Sequence, residues 1–155
     1  MSKIKLVFFT SFLFLFLIFF FFVFFTKSDL SKINCDSRIN FMDINNKLNA
    51  KIYYTFNLDE NGGWLKINGE INKDKIEYKI NRKLYFSYQR NKNIFTLLVN
   101  KITIWSDNSP DSLLSDILPL AYMHEGAKMD IFIYPQNYGG YLFTSSNFNS
   151  TYCQN

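Results

Sequence analysis

Histidine occurs once, at His124, cysteine twice, at Cys35 and Cys153, and neither sign of charge dominates the 155 residues. One imidazole and two thiols leave little with which to build a general base, a nucleophile or a metal site. The carboxylates are spread over expected hairpins and loops without a spacing that pairs them. No G-x-G-x-x-G, Walker A, H-E-x-x-H or G-x-S-x-G pattern occurs, and no internal repeat is evident. An enzyme is therefore not expected, and no cofactor or metal is implied. The whole chain carries +4, and setting aside Lys3 and Lys5 leaves +2 for the rest. So small an excess, evenly spread along the sequence, gives no reason to expect nucleic acid or an acidic polymer as partner.

What the sequence has in abundance is phenylalanine, and eleven of its eighteen lie between Phe8 and Phe25. From Leu6 to Phe25 twenty residues carry no charge, and only Thr10 and Ser11 are polar. At about 1.5 Å rise per residue such a helix spans the roughly 30 Å apolar layer of a bilayer. A cleaved signal peptide has a shorter apolar run and small residues at its cleavage site, and Phe24-Phe25-Thr26-Lys27 offers none. An uncleaved membrane anchor is expected. Lys3, Lys5 and the terminal amine put three positive charges before it, whereas Lys27 to Arg38 mixes both signs. The positive-inside rule then places the N-terminus in the cytoplasm and the remainder outside it. The expected organisation is a cytoplasmic tail (1–5), a transmembrane helix (6–25), a stalk (26–34) and one exported β-rich domain (35–155).

Cys35 and Cys153 stand almost at the two ends of that domain. In an oxidising compartment such a pair reads as a disulfide. Two unrelated free thiols would fit a cytosolic domain instead.

Between the cysteines the period is two. Leu48, Ala50, Ile52, Tyr54, Phe56 and Leu58 alternate with mostly polar residues, which predicts a half-buried strand. Asp59-Glu60-Asn61-Gly62-Gly63 reads as a turn, and Trp64 to Ile71 as the returning strand. A third strand puts Ile76, Tyr78, Ile80, Leu84 and Phe86 on one face, and a fourth runs from Ile94 to Trp105. The fourth is apolar on both faces around Leu97 and Leu98, so a cover for its second side is expected. Ser109-Pro110-Asp111 reads as a helix start, with Ser109 as N-cap, leading to Leu113, Leu114, Ile117 and Leu118 on one face. Two more strands, Lys128 to Tyr134 and Tyr138 to Thr144, complete the pattern. The fold class is α+β, mainly β. After the transmembrane helix comes an antiparallel meander with one short helix between its fourth and fifth strands, which either curls into a lipocalin-like barrel or packs on that helix.

Arg82 breaks the apolar face of the third strand. Three explanations stand side by side: a β-bulge that turns it to solvent, a buried pair with an acid such as Glu70, or a cation that meets a ligand in an apolar cavity. The third would make Arg82, Tyr54, Phe56, Tyr78 and Trp105 a surface for an anionic amphipath or a partner protein. The acidic loop Asp107 to Asp111 lacks the glycine and terminal glutamate of a calcium loop and reads as a solvated helix start. Asn149-Ser150-Thr151 matches a glycosylation sequon, a weak signal in so asparagine-rich a chain.

Several features in their order resemble one family. They are the anchor, a Cys soon after it, Leu65 to Gly69 closing a strand on glycine, Arg82 to Phe86 as Arg-x-x-x-Phe, Leu118 to Tyr122 as L-P-x-x-Y, and Tyr141-Leu142-Phe143-Thr144 before Cys153. Together they resemble the FidL-like membrane proteins of enteric bacteria, similar in layout to the ToxS-like partners of ToxR-type regulators. The resemblance implies a single-pass protein of the bacterial inner membrane whose periplasmic domain pairs with and stabilises a transmembrane transcription regulator. It also implies a lipocalin-like barrel that senses a small amphipath such as a bile salt. The alternative is a structural or assembly accessory of an envelope adhesin or fimbrial system.

Overall fold

The structure is a computed structural model that describes residues 11–21, 30, 32–60, 62–146 and 148–155. Residues 11–21 are helical (α1) and leave their large apolar side chains exposed, Phe12 and Phe14 among them. Among the described residues no helix is long and apolar enough to cross a membrane. The rest of the expected span, 6–10 and 22–25, lies outside the described residues, as do the expected cytoplasmic tail and most of the expected stalk.

Eight antiparallel strands follow and close into a barrel in sequence order. They are β1 (Ile33–Asp43), β2 (Leu48–Asp59), β3 (Gly62–Lys73), β4 (Ile76–Asn91), β5 (Ile94–Ile104), β6 (Lys128–Pro135), β7 (Gly140–Ser145) and β8 (Phe148–Gln154). Period-two alternation produces the closure, because it gives every strand one apolar face and a closed sheet buries all of those faces together. Leu48, Ala50, Ile52, Tyr54, Phe56 and Leu58 all point inward from β2, as their spacing predicts. Leu65, Ile67 and Ile71 do so from β3, and Ile80, Leu84 and Phe86 from β4.

Two strands exceed the expected six. β1 pairs with β2 over its whole length, from Ile33 opposite Leu58 to Asp43 opposite Leu48, and β8 returns beside it with Gln154 opposite Asp36. The helix therefore lies between the fifth and sixth strands, not the fourth and fifth. The expected stalk also gives way at its end: Leu30 is buried in the core and β1 begins at Ile33. The β3–β4 hairpin turns on Asp74 and Lys75, both with positive φ, the geometry that matches the twist of the flanking strands.

The 105–127 connection packs into the same core as the strands. Its helix, α2 (Asp111–Leu114), is one turn long. Leu113, Leu114, Ile117, Leu118 and Tyr122 belong to the same buried cluster as the inward strand residues. Leu98 accordingly stays half-buried on the outside of β5, without the helical cover that its apolarity suggested. Ser109 is not the N-cap. Pro110 takes that place with no side-chain cap, while the Ser109 hydroxyl donates to the Lys79 carbonyl, 3.1 Å away.

Candidate functional site

Alternation along β4 carries Arg82 inward between Ile80 and Leu84, and the residue is 3% exposed. The strand makes no bulge there; the irregularity in the β4–β5 pairing falls at Tyr85/Phe86. What meets Arg82 is Asp107, three residues past the end of β5. The chain is held along β4 at that point, since the Trp105 N–H donates to the Asn81 carbonyl and the Asn108 N–H to the Lys79 carbonyl. Between those two anchors the Asp107 carboxylate turns inward. Its Oδ2 accepts from Arg82 Nε at 3.0 Å and Nη2 at 2.7 Å, and its Oδ1 accepts from the Ser109 N–H at 3.1 Å. Both side chains are almost fully enclosed. Of the three explanations for Arg82 the structure shows the buried pair, with Asp107 and not Glu70 as the acid. Glu70 lies exposed on the outer face of β3. Short, doubly bonded charge pairs of this kind satisfy each other's polar valences, and this one supplies the carboxylate that a core arginine requires.

Tyr54 lies in the same inward row as Arg82 with Ile67 of β3 between them, and Phe56 is the next inward residue along β2. Tyr54 and Phe56 line an internal space of about 20 Å³, together with Tyr122, Ile131, Phe143 and Thr151. The ring of Phe56 stacks on that of Phe143 with centroids 4.5 Å apart. Burial, reinforced by Tyr122 nearby, pushes the Tyr54 hydroxyl well above the usual phenol range, and burial alone does the same to Tyr122. The remaining two expected site residues lie elsewhere. Tyr78 is half-buried on β4 against the edge of the core, and Trp105 is 43% exposed where the chain leaves β5. The structure therefore does not bring the five residues to one surface.

Cys35 and Cys153 form a disulfide between β1 and β8, with Cα atoms 5.4 Å apart. Beside it, the buried hydroxyls of Ser37 and Thr151 hydrogen-bond to each other across the same two strands. Thr151, the last residue of the sequon, is thus turned into the barrel. Among the described residues no group of three or more His, Cys, Asp or Glu side chains could hold a metal ion.

The model of one protein family, the YqeJ C-terminal domain, matches residues 32–153. The chain belongs to the YqeJ C-terminal domain family. The match begins one residue before β1 and ends on Cys153, so it covers the barrel from its first strand to its disulfide. No curated protein matches the chain.

Two features of this YqeJ C-terminal domain escaped the reading from sequence. Asp107 carried a signal, since it stands two residues ahead of a serine whose N–H it captures, a turn geometry that can bury an aspartate. Ser37 carried one too, because Ile33, Cys35, Ser37, Ile39 and Phe41 alternate with polar residues over nine positions.

Proposed function

We propose that this protein is a membrane-anchored periplasmic accessory, FidL-like in the narrower sense, that pairs with and stabilises a ToxR-type transmembrane regulator. The observation that carries the reading is the filled barrel. Sites for small molecules usually occupy about 300–1,000 Å³. The space that Tyr54, Phe56, Tyr122, Ile131 and Phe143 line is about 20 Å³, room for a water molecule. This reading therefore turns on the outer surface, and the Cys35–Cys153 bond ties together the first and last strands that present it. Stabilising a partner requires no more than this: whatever binds the folded partner and not its unfolded chain shifts the partner's folding equilibrium. In this reading a bile salt or similar amphipath binds the assembled pair, not the isolated barrel. The Phe-rich run from Leu6 to Phe25 supports the membrane location, because twenty apolar residues match the thickness of a bilayer.

Two measurements test the proposal. A C-terminal alkaline phosphatase fusion should be active and sediment with membranes. Coexpression with a ToxR-type regulator encoded beside it should lengthen that regulator's half-life, and crosslinking in membranes should recover the two together. A soluble product beginning near Thr26 would remove the anchor. A regulator half-life that does not change, with an adhesin or usher in the crosslinked product, would replace this reading with an envelope-assembly role.

A further inference from the structure

The strand register gathers charge that the sequence disperses. On the outside of β1–β5, four rows of side chains run across the sheet between Asn34 and Asn40 of β1. Those rows carry six cations, Arg38, Lys51, Lys66, Lys79, Lys83 and Lys101, against only Asp36 and Glu70. The face therefore holds +4, whereas the chain beyond its first five residues totals +2. Among the described residues the sole ion pair within 4 Å is Arg82 with Asp107, so none of these six cations is in direct contact with a carboxylate, although Glu70 stands between Lys51 and Lys79 in its row.

Three of the cations or their neighbours break the usual rules for an outer sheet face. Lys66 lies directly opposite Lys83 on the adjacent strand, a like-charge arrangement that destabilises a sheet. Lys83 Nζ is held 4.0 Å from the centroid of the Trp64 ring and 4.9 Å from that of Tyr85, and Arg38 is held 5.3 Å from that of Tyr53. Rings normally kept for the core thus stand outside, each under a cation. Beside them is an open groove of about 400 Å³, lined among others by Lys51, Tyr53, Asn68, Lys79 and Asn81. The Asn81 Oδ1 is shielded from solvent there and accepts no hydrogen bond.

From these observations we infer that the outer face of β1–β5 is a docking surface for an acidic polypeptide segment. Lys83 and Arg38 are fixed over rings and have no carboxylate within 4 Å, so they are preorganised for carboxylates on another molecule. The rings are covered by those cations, which takes their faces away from the stacking that a sugar would use. The Lys66–Lys83 repulsion is relieved when an acidic segment binds. This inference names the contact surface of the accessory proposed above and rests on that reading only for the identity of the partner.

The test uses the full chain in nonionic detergent. Two tryptophans occur in the chain, so Trp105→Phe leaves Trp64 as the reporter. Poly-L-glutamate should change Trp64 emission saturably, with an affinity that falls as salt is added. Lys66→Glu with Lys83→Glu should weaken binding at least tenfold, while Lys128→Glu on β6 should leave it unchanged. Lys66→Gln should weaken binding and raise the thermal midpoint of the free protein, a combination that a purely structural lysine would not give. Equal poly-L-glutamate affinity for the Lys66/Lys83 variant overturns the surface. So does tighter binding of polygalacturonate or of phosphatidylglycerol added to the detergent micelles, which would make the face a glycan or lipid site. A regulator that fails to crosslink while poly-L-glutamate still binds overturns the regulatory reading and leaves this surface standing.

Discussion

Arg82 and Asp107, twenty-five residues apart, form the one ion pair among the described residues, and both side chains are buried within it. Removing one partner strands the other charge in an apolar interior, a change that costs about 3–5 kcal/mol. Arg82→Met should therefore lower unfolding free energy by an amount in that range. Changing Asp107 to Leu in the same protein should restore most of the loss, because an apolar pair of similar volume asks for no compensating charge. Chemical denaturation of the single and double variants measures both. A single variant within about 0.5 kcal/mol of the parent would show that the pair is open to water.

The Cys35–Cys153 bond joins positions 118 residues apart and ties β8 to β1 where the barrel closes. The chain-entropy account gives about 4.7 kcal/mol for a loop of roughly 100 residues, and loss of a native bond generally costs about 2–5 kcal/mol. Cys153→Ser should lower the thermal midpoint, and a reducing agent should lower that of the parent by a similar amount without further effect on the variant. Mass spectrometry that finds both thiols free in protein from oxidising cells would contradict the bond.

How much of this could be read from the sequence depended on how pure each strand's alternation was. β2 was legible to the residue because all its inward positions, from Leu48 to Leu58, are apolar. β1 was not, since Cys35 and Ser37 occupy two of its inward positions and dilute the period. The partner of Ser37 is Thr151, another buried hydroxyl, so each polar group is accounted for only when both strands are in place. The alternation of β4 placed Arg82 at an inward position but left open a bulge that would turn it to solvent. The acid that receives it was not legible there, because Asp107 reaches it through a loop whose path is set by backbone bonds to Asn81 and Lys79. The cationic outer face was invisible for a related reason: Lys66 and Lys83 are seventeen positions apart in the chain and neighbours only through register.

Tyr54 and Tyr122 have hydroxyls whose ionisation burial opposes, with Tyr122 adding to the effect on Tyr54. Their unfolded values are near 10, so an unfolded chain loses these protons first as the pH rises. The stabilisation is complete below pH ~10 and declines above it, because the unfolded state then binds fewer protons than the folded one. Stability should fall steeply from about pH 10 upward, and Tyr54→Phe should flatten that fall whatever its effect at neutral pH. Denaturant midpoints collected between pH 8 and 11 give the slopes. Identical slopes for variant and parent would mean that Tyr54 ionises as an exposed phenol does.

Gly69 faces the barrel interior from β3, opposite Ile52 on β2 and Ile80 on β4. A Cβ placed there would come within 2.5 Å of the Lys51 carbonyl oxygen and 3.1 Å of the Ile52 Cα. Both atoms are backbone, so no side-chain rotation relieves the contact, and β2 and β3 would have to separate at the middle of their longest shared ladder. Overpacking of this kind costs about 1–3 kcal/mol. Gly126 gives the comparison. Its φ is +79°, yet a Cβ there would meet nothing within 4 Å, so Gly126→Ala should cost only the backbone penalty of about 1–2 kcal/mol. Gly69→Ala should therefore destabilise at least as much as Gly126→Ala despite an ordinary φ, and it should do so by shifting the urea midpoint at constant slope. It should also disturb the outer groove beside it, since Gly69 lines that groove with its backbone, and so weaken poly-L-glutamate binding where Gly126→Ala does not. A Gly69→Ala protein as stable as the parent would mean that the two strands already stand far enough apart for a methyl group, and the close β2–β3 approach described here would be wrong.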